Sequence, residues 1–346
     1  MRAGTVIRAS ASVRRVARLQ WWLPVTYHSA GVSATRADRL LALRKTDTYC
    51  NGWPALGYFD GTSTMSLLGI LGTILLIIVA AALVFWLRVR FMTSKQKKAL
   101  VKKTLNGVFA WAEDRGWLPR TPAFDHDYAR TYPGMKIFEE HYDDIRAECL
   151  KLFGMRDKLV DMSKMGGAYT QAGIHTIDWK TVMFKAGDFV EENCRLCPKT
   201  AALLRQTPEV FTAFFSVLEP HQYITPHWGY YKGFVRYHLG VVIPDNNAGQ
   251  KCWLRVNGNH ADNVKRDESL VENGEVYHWK NGEGIVFDDN YLHDAANYSD
   301  EPRAVMWLDV RRKMPFLLDL YNRICLALMR RDESIRKIQR NAVIPA

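Results

Sequence analysis

From Leu67 to Leu87 the chain runs LLGILGTILLIIVAAALVFWL, 21 residues without a charge. At ~1.5 Å per residue such a helix is roughly 30 Å long, the hydrocarbon thickness of a bilayer, and this predicts one transmembrane helix over 67–87. A core helix of that length would show a polar face. Leu105, Val108, Phe109 and Ala112 then recur at helical spacing and predict a short amphipathic helix within 88–118. Residues 120–200 are mixed, with helical turns near 139–153 and 200–206. From about residue 208 the texture changes to short apolar runs: VFTAFFSVL, GFVRYHLGVVI, KCWLRV, EVYHW, GIVFDD and AVMWLDV. Gly, Asn, Asp and Pro punctuate them. Strands at this spacing predict a mainly β domain of the jelly-roll kind over 120–315, with flanking helices. After Pro315 the segment 316–340 predicts a helix with Leu317, Leu320, Tyr321, Ile324 and Leu328 on one face, followed by a tail to 346. Arg323, Arg330, Arg331, Arg336, Lys337 and Arg340 crowd its outer and later turns. Both packing on the sandwich and lying on a membrane surface stay open for it.

Composition adds orientation. The 346 residues are 48% apolar and 24% charged, which fits a largely globular chain of one large or two modest domains. The net charge of +11 is unevenly spread: residues 1–64 hold nine Arg and Lys against three acids. That Arg-, Ser- and Ala-rich stretch fits a targeting segment, or an extension upstream of a native start at Met65, and is set aside from the fold. Arg88, Arg90, Lys95, Lys97, Lys98, Lys102 and Lys103 follow the apolar span, and the twenty residues before it hold no Lys or Arg. The positive-inside rule then predicts a single-pass protein with its C-terminal domain in the cytoplasm. The basic cluster suits anionic headgroups. Nucleic acid is not expected as a partner, since no nucleic-acid motif is present. The six cysteines show no disulfide spacing and fit a reducing compartment. Cys194 and Cys197 form a lone CxxC with no second pair nearby, which predicts two structural thiols rather than a redox or zinc site.

The candidate chemistry lies in two stretches. The first runs from Ser216 through His227 to Arg236 and His238. The second is GIVFDDNYLHDAANYSDEPRAVMWLDV, with His293 near a turn and Arg303 opening an apolar strand. Strand alternation puts Phe214, Ser216 and Leu218 on one face, and Arg236 and His238 together on one face. An inward Arg and His on apolar strands are costly unless an anion or a metal satisfies them. Neutral imidazoles suit Fe(II), and a planar Arg fork suits a distal carboxylate. Residue types alone leave iron and zinc both open. His175, His221, His260 and His278 are expected to be structural or surface residues.

The stretches PHWGYYKGFVRYHLGVVIP and GEGIVFDDNYLHDAANYSDEPRAVMWLDV resemble the aspartyl/asparaginyl β-hydroxylase family, over roughly 130–315. Within it, bacterial lipid A 2-hydroxylases and similar acyl-chain hydroxylases look most alike. The resemblance implies a double-stranded β-helix, the jelly-roll variant also called cupin-like. It also implies Fe(II), 2-oxoglutarate as co-substrate and O₂, with oxidative decarboxylation to succinate driving hydroxylation of an unactivated C–H. By motif position His227 and His293 resemble the catalytic iron ligands. Arg303 resembles the residue gripping the distal carboxylate of 2-oxoglutarate, and Ser216 its hydroxyl partner. Arg236 and His238 resemble the pair at the metal-proximal carboxylate. Many 2-oxoglutarate oxygenases complete the ligand set with His-x-Asp/Glu, whereas position 229 here is Gly. The aspartyl hydroxylases lack that acid too, while some lipid A hydroxylases keep an Asp there, which blurs the substrate. Asp289, four residues before His293, is placed to hold an iron-bound water or orient His293, or to serve as a plain turn residue. Three functions follow: a lipid acyl-chain hydroxylase at the membrane, a hydroxylase of protein Asp or Asn side chains, and a non-catalytic membrane-tethered binding module.

Overall fold

The computed structural model describes residues 67–166 and 177–345. The extension 1–64, with Cys50, and His175 lie outside those residues. Leu71–Ala346 make one compact unit. Helix α1 (Leu67–Arg90) has 24 residues. Over the described residues alone, no helix is long and apolar enough to cross a membrane. The backbone is helical over 67–87 as expected, but the described residues do not bear out a membrane-spanning helix there. Only Phe91–Thr93 separate it from α2 (Ser94–Asp114). Thr93 starts α2 with a capping box: its hydroxyl accepts from the Gln96 N–H at 3.2 Å, and the Gln96 side chain accepts from the Thr93 N–H at 2.8 Å.

The strands are β1 (Phe124–Asp125), β2 (Val160–Asp161), β3 (Trp179–Ala186), β4 (Asp188–Phe189), β5 (Val210–Leu218) and β6 (Gln222–His227), then β7 (Phe234–Val242), β8 (Cys252–Asn257), β9 (Glu275–His278), β10 (Gly284–Phe287), β11 (Leu292–Asn297) and β12 (Arg303–Arg311). The larger sheet runs β1-β10-β7-β12-β5-β3-β2, with β4 on β3, and the smaller runs β6-β11-β8-β9. All these pairings are antiparallel. From β5 to β12 the chain passes between the sheets so that 5-12-7-10 faces 6-11-8-9. This is the jelly-roll order of a double-stranded β-helix, as expected.

Both faces of the larger sheet are buried, so its strands read as nearly unbroken apolar runs rather than alternating ones. The helices Lys136–Glu140, Tyr142–Phe153 and Pro198–Gln206 cover the outer face, with Phe138, Ile145 and Leu204 packed against Phe184, Phe215 and Met306. The inner face meets the smaller sheet through Phe214, Ile285, Trp307, Ile224 and Leu254. Each such fully buried large side chain stabilises the fold by about 1.5–3 kcal/mol. The expected helical turns near 139–153 and 200–206 are present. Six strands escaped the sequence: β1, β2, β3 and β4, in the stretch read as mixed, and β6 and β11, which lie between the apolar runs.

The C-terminal segment differs from expectation in two ways. It is two helices, Phe316–Arg330 and Glu333–Asn341, because Asp332 breaks the run and caps the second through the Ser334 N–H. The first helix also packs through an adjoining face, with Tyr321 at the border between the two. Asn322, Cys325 and Leu326 are buried against Phe109 and Ala112 of α2 and against Tyr231 and Phe234, while Leu317, Leu320, Ile324 and Leu328 stay exposed. Phe109 meets Tyr321 edge-on at 5.4 Å, so α2 and this helix share a core.

A buried ion pair closes that core. Arg312 donates from Nη1 to Glu113 at 2.7 Å and from Nη2 to the Pro119 carbonyl at 2.7 Å. Lys232 donates to the other Glu113 oxygen at 2.8 Å. Glu113→Ala would leave the Arg312 charge buried and unpaired, and is expected to lower stability by about 3–5 kcal/mol, measured by urea denaturation.

Candidate active site

β6 ends on His227, and β11 runs antiparallel beside it with His293 directly opposite. The two rings stand 4.2 Å apart, centroid to centroid. The local geometry repeats at each. His227 Nδ1 lies 2.8 Å from the Thr225 carbonyl, and His293 Nδ1 lies 2.8 Å from the Tyr291 carbonyl. A carbonyl only accepts, so each Nδ1 carries the proton and each Nε2 keeps a lone pair. Burial holds both imidazoles below the ordinary histidine value, and at His293 the neighbouring His227 adds to it. Two neutral imidazoles with tautomers set by backbone carbonyls are a donor set for a divalent transition metal.

The same pocket is lined by Ser216, His238, Trp279 and Arg303. Arg303 opens β12 and is only 2% exposed. Its Nε and Nη1 have no hydrogen-bond partner among the described residues, and its guanidinium lies 4.4 Å from the Trp279 ring centroid. Burial brings it down to about 10, so it stays charged at neutral pH. Both nitrogens of His238, and Trp279 Nε1, are likewise buried without partners. Burial, then Arg236 and Arg303, keep His238 neutral. Ser216 Oγ accepts from Trp179 Nε1 at 2.8 Å, leaving its own O–H to donate. A buried cation ringed by unfilled donors is costly by itself and is the setting an organic dianion would satisfy. The free space among these side chains is about 20 Å³, so a dicarboxylate enters only as some of them rotate aside.

Arg236 is engaged differently. Its guanidinium forms ion pairs with Asp289 at 2.7 Å and Asp309 at 3.0 Å, and lies 3.8 Å from the Trp307 ring centroid. Asp309 faces Arg236 in the β7–β12 register. The Asp289 carboxyl is pushed up to about 7, mainly by burial, with Arg236 opposing. The Gly229 N–H donates to the Asp289 carbonyl at 2.7 Å, and a Cβ at 229 would overlap the Asp289 carboxylate. Position 229 therefore has no room for an acid. Among the described residues no group of three His, Cys, Asp or Glu comes together as a metal cluster.

The structure thus brings His227, His293, Ser216, Arg236, His238 and Arg303 to one pocket, with Arg236 also paired to Asp289. Sequence reasoning missed Trp179, Trp279, Trp307 and Asp309. Counting in twos from Arg303 would have found Trp307 and Asp309 on the inward face of β12. His221 and His260 are exposed, and none of His221, His260 or His278 lines the pocket. Cys194 and Cys197 are buried free thiols, pushed up to about 11 and 12 by burial, which suits inert structural cysteines.

The protein family described as aspartyl/asparaginyl β-hydroxylase matches residues 139–313. An ornithine lipid ester-linked acyl 2-hydroxylase of Rhizobium tropici is 31% identical over 207 residues, 58% of this chain and 66% of that protein. Aspartate beta-hydroxylase domain-containing protein 2 of Homo sapiens is 28% identical over 203 residues, 56% of this chain and 48% of that one. The chain therefore spans about half to just under two thirds of these relatives. Among solved structures, a Pseudomonas putida prolyl-4-hydroxylase aligns with 50% of this chain and 88% of its own at 12% identity and a TM-score of 0.29.

Proposed function

The chain belongs to the aspartyl/asparaginyl β-hydroxylase family, and from that premise we propose that it is a membrane-anchored hydroxylase using Fe(II), 2-oxoglutarate and O₂, acting on the acyl chain of a membrane lipid. The observation that carries the co-substrate is Arg303, a buried guanidinium with unfilled donors in the same pocket as two histidines whose Nε2 atoms are free to ligate. The donor chemistry fits the groups proposed. Bound iron and 2-oxoglutarate would together supply O₂ activation, the hard part of the chemistry. His227 and His293 would hold the metal through Nε2, and no third His, Cys, Asp or Glu joins them among the described residues. Arg303 orients the co-substrate's far carboxylate, with Ser216 as hydroxyl partner. His238 serves the carboxylate nearer the metal. Arg236, clamped by Asp289 and Asp309, shapes that end of the pocket, and Asp289 would act on a metal-bound water or on His293 only through these ion pairs. The apolar side chains Ile224, Leu254, Phe287 and Trp307 exclude bulk water.

The lipid substrate is supported by the name of the Rhizobium tropici relative and by the uncharged span 67–87 within α1. With basic residues on its C-terminal side, that span would anchor the domain at the cytoplasmic face, where tethering raises the local concentration of a lipid substrate. A second reading, hydroxylation of protein Asp or Asn side chains, is favoured by Gly229 and by the name of the human relative. Mass spectrometry of lipid extracts with and without the gene separates the two. Gain of one oxygen on an acyl chain is expected, and unchanged lipids alongside a hydroxylated protein would overturn the lipid assignment. No succinate release from the purified protein with Fe(II) and 2-oxoglutarate would leave only a binding module.

A further inference from the structure

The helix Phe316–Arg330 buries one face and leaves the other bare. Phe316 is 78% exposed, Leu317 75%, Leu320 46%, Ile324 53% and Leu328 61%. At 100° per residue these side chains and Ala327 fall on one continuous stripe, with Arg323 and Arg330 along its margin. Soluble surfaces scatter single apolar residues, whereas a stripe of this kind marks an interaction site.

Its surroundings say what covers it. Ala327, on the stripe, also lines a recess of about 370 Å³ shared with Arg330, Arg331, Arg336, Gln339 and Asp188. One carboxylate stands among three guanidiniums there, paired with Arg330. An apolar track that runs into an arginine-lined recess matches the two ends of an anionic phospholipid. The helix also shares its core with α2, through Phe109 and Tyr321 and the Tyr321 O–H donated to the Leu105 carbonyl at 3.4 Å. The first half of α2 carries Lys95, Lys97, Lys98, Lys102 and Lys103, and α2 begins three residues after α1. Basic and apolar features of both helices thus belong to one part of the fold.

We propose that the exposed stripe of Phe316–Arg330 lies in the surface of an anionic phospholipid bilayer, with Arg330, Arg331 and Arg336 receiving lipid phosphates. This second contact, which rests on the membrane-anchored reading, fixes the rotation of the domain against the bilayer. A single flexible tether would leave that rotation free.

Nitroxide labels test it on the full chain in vesicles of phosphatidylcholine and phosphatidylglycerol. Cys50→Ser removes the cysteine outside the described residues, and the five described cysteines are buried. Single cysteines at Leu317, Leu320, Ile324 and Leu328 are compared with one at Val276, which is 45% exposed on β9. Collisions with oxygen should rise, and those with a water-soluble nickel chelate fall, at the four stripe positions relative to Val276. Arg331→Glu with Arg336→Glu should reverse much of that shift. If the chain floats with the vesicles but the stripe stays as wet as Val276, the docking proposal fails while anchoring stands. If the chain does not float at all, both fail. Spin–spin broadening between stripe labels would give the face to a second copy of the chain and overturn the proposal.

Discussion

His227→Ala and His293→Ala should each abolish hydroxylation, with a fall in rate of at least about 10³-fold, since a catalytic metal supplies several kcal/mol and each 1.36 kcal/mol is tenfold. If His227 and His293 are the two protein ligands proposed, losing one halves the set. The remaining imidazole would hold the metal weakly, so Fe(II) or Mn(II) binding to the purified protein should disappear together with activity. Folding should survive, because each ring makes a single backbone hydrogen bond through Nδ1. Retained 2-oxoglutarate-dependent activity in either variant, at unchanged metal content, would overturn the ligand assignment.

The second large effect is expected at Arg303, and it has two signs. Arg303→Met removes a buried charge whose Nε and Nη1 have no partner, while keeping much of the side-chain volume. Desolvating an unpaired ion costs several kcal/mol, so the ligand-free variant should melt at a higher temperature than the parent. The same change deletes the proposed grip on the co-substrate. Truncating one partner of a buried charged pair costs about 2–5 kcal/mol, so 2-oxoglutarate affinity should drop by roughly 10²-fold or more. Thermal melts with and without 2-oxoglutarate and Mn(II) read both effects. The parent should gain stability from the co-substrate and the variant should not. A variant that is destabilised yet still stabilised by 2-oxoglutarate would place the carboxylate elsewhere.

The parts of this site that were legible in the sequence are those that follow from a period of two. Ser216 and Phe214 share a face of β5, and Arg236 and His238 share a face of β7, because alternate residues must. Arg303 stood out as a charge opening an apolar strand. The strands bearing His227 and His293 were not legible. β11 reads LHDAAN, with no β-branched or aromatic residue, and β6 is a short QYITPH run that ends in Pro226–His227, so neither forms an apolar strand run. They are strands because tertiary pairing with β8 and with each other supplies what propensity does not. The opposition of His227 and His293 is a register fact, set across 66 residues of chain and a register shift just after His293, which no local pattern encodes. Likewise Asp289 fills the space at Gly229 only because the loop before β11 folds over the end of β6. The C-terminal helix failed for another reason. Its apolar stripe was legible and its placement was left open, but nothing in the pattern showed that the packed face uses Asn322, Cys325 and Leu326.

In the function proposed, His227 and His293 share one metal ion while Arg303 holds the far end of 2-oxoglutarate. Crystals grown without oxygen, with Mn(II) and 2-oxoglutarate, test it most directly through anomalous scattering. One manganese peak within bonding distance of both Nε2 atoms, with the distal carboxylate against the Arg303 guanidinium, is the expected result. A peak bound by only one of these histidines, or a co-substrate lying away from Arg303, would contradict it.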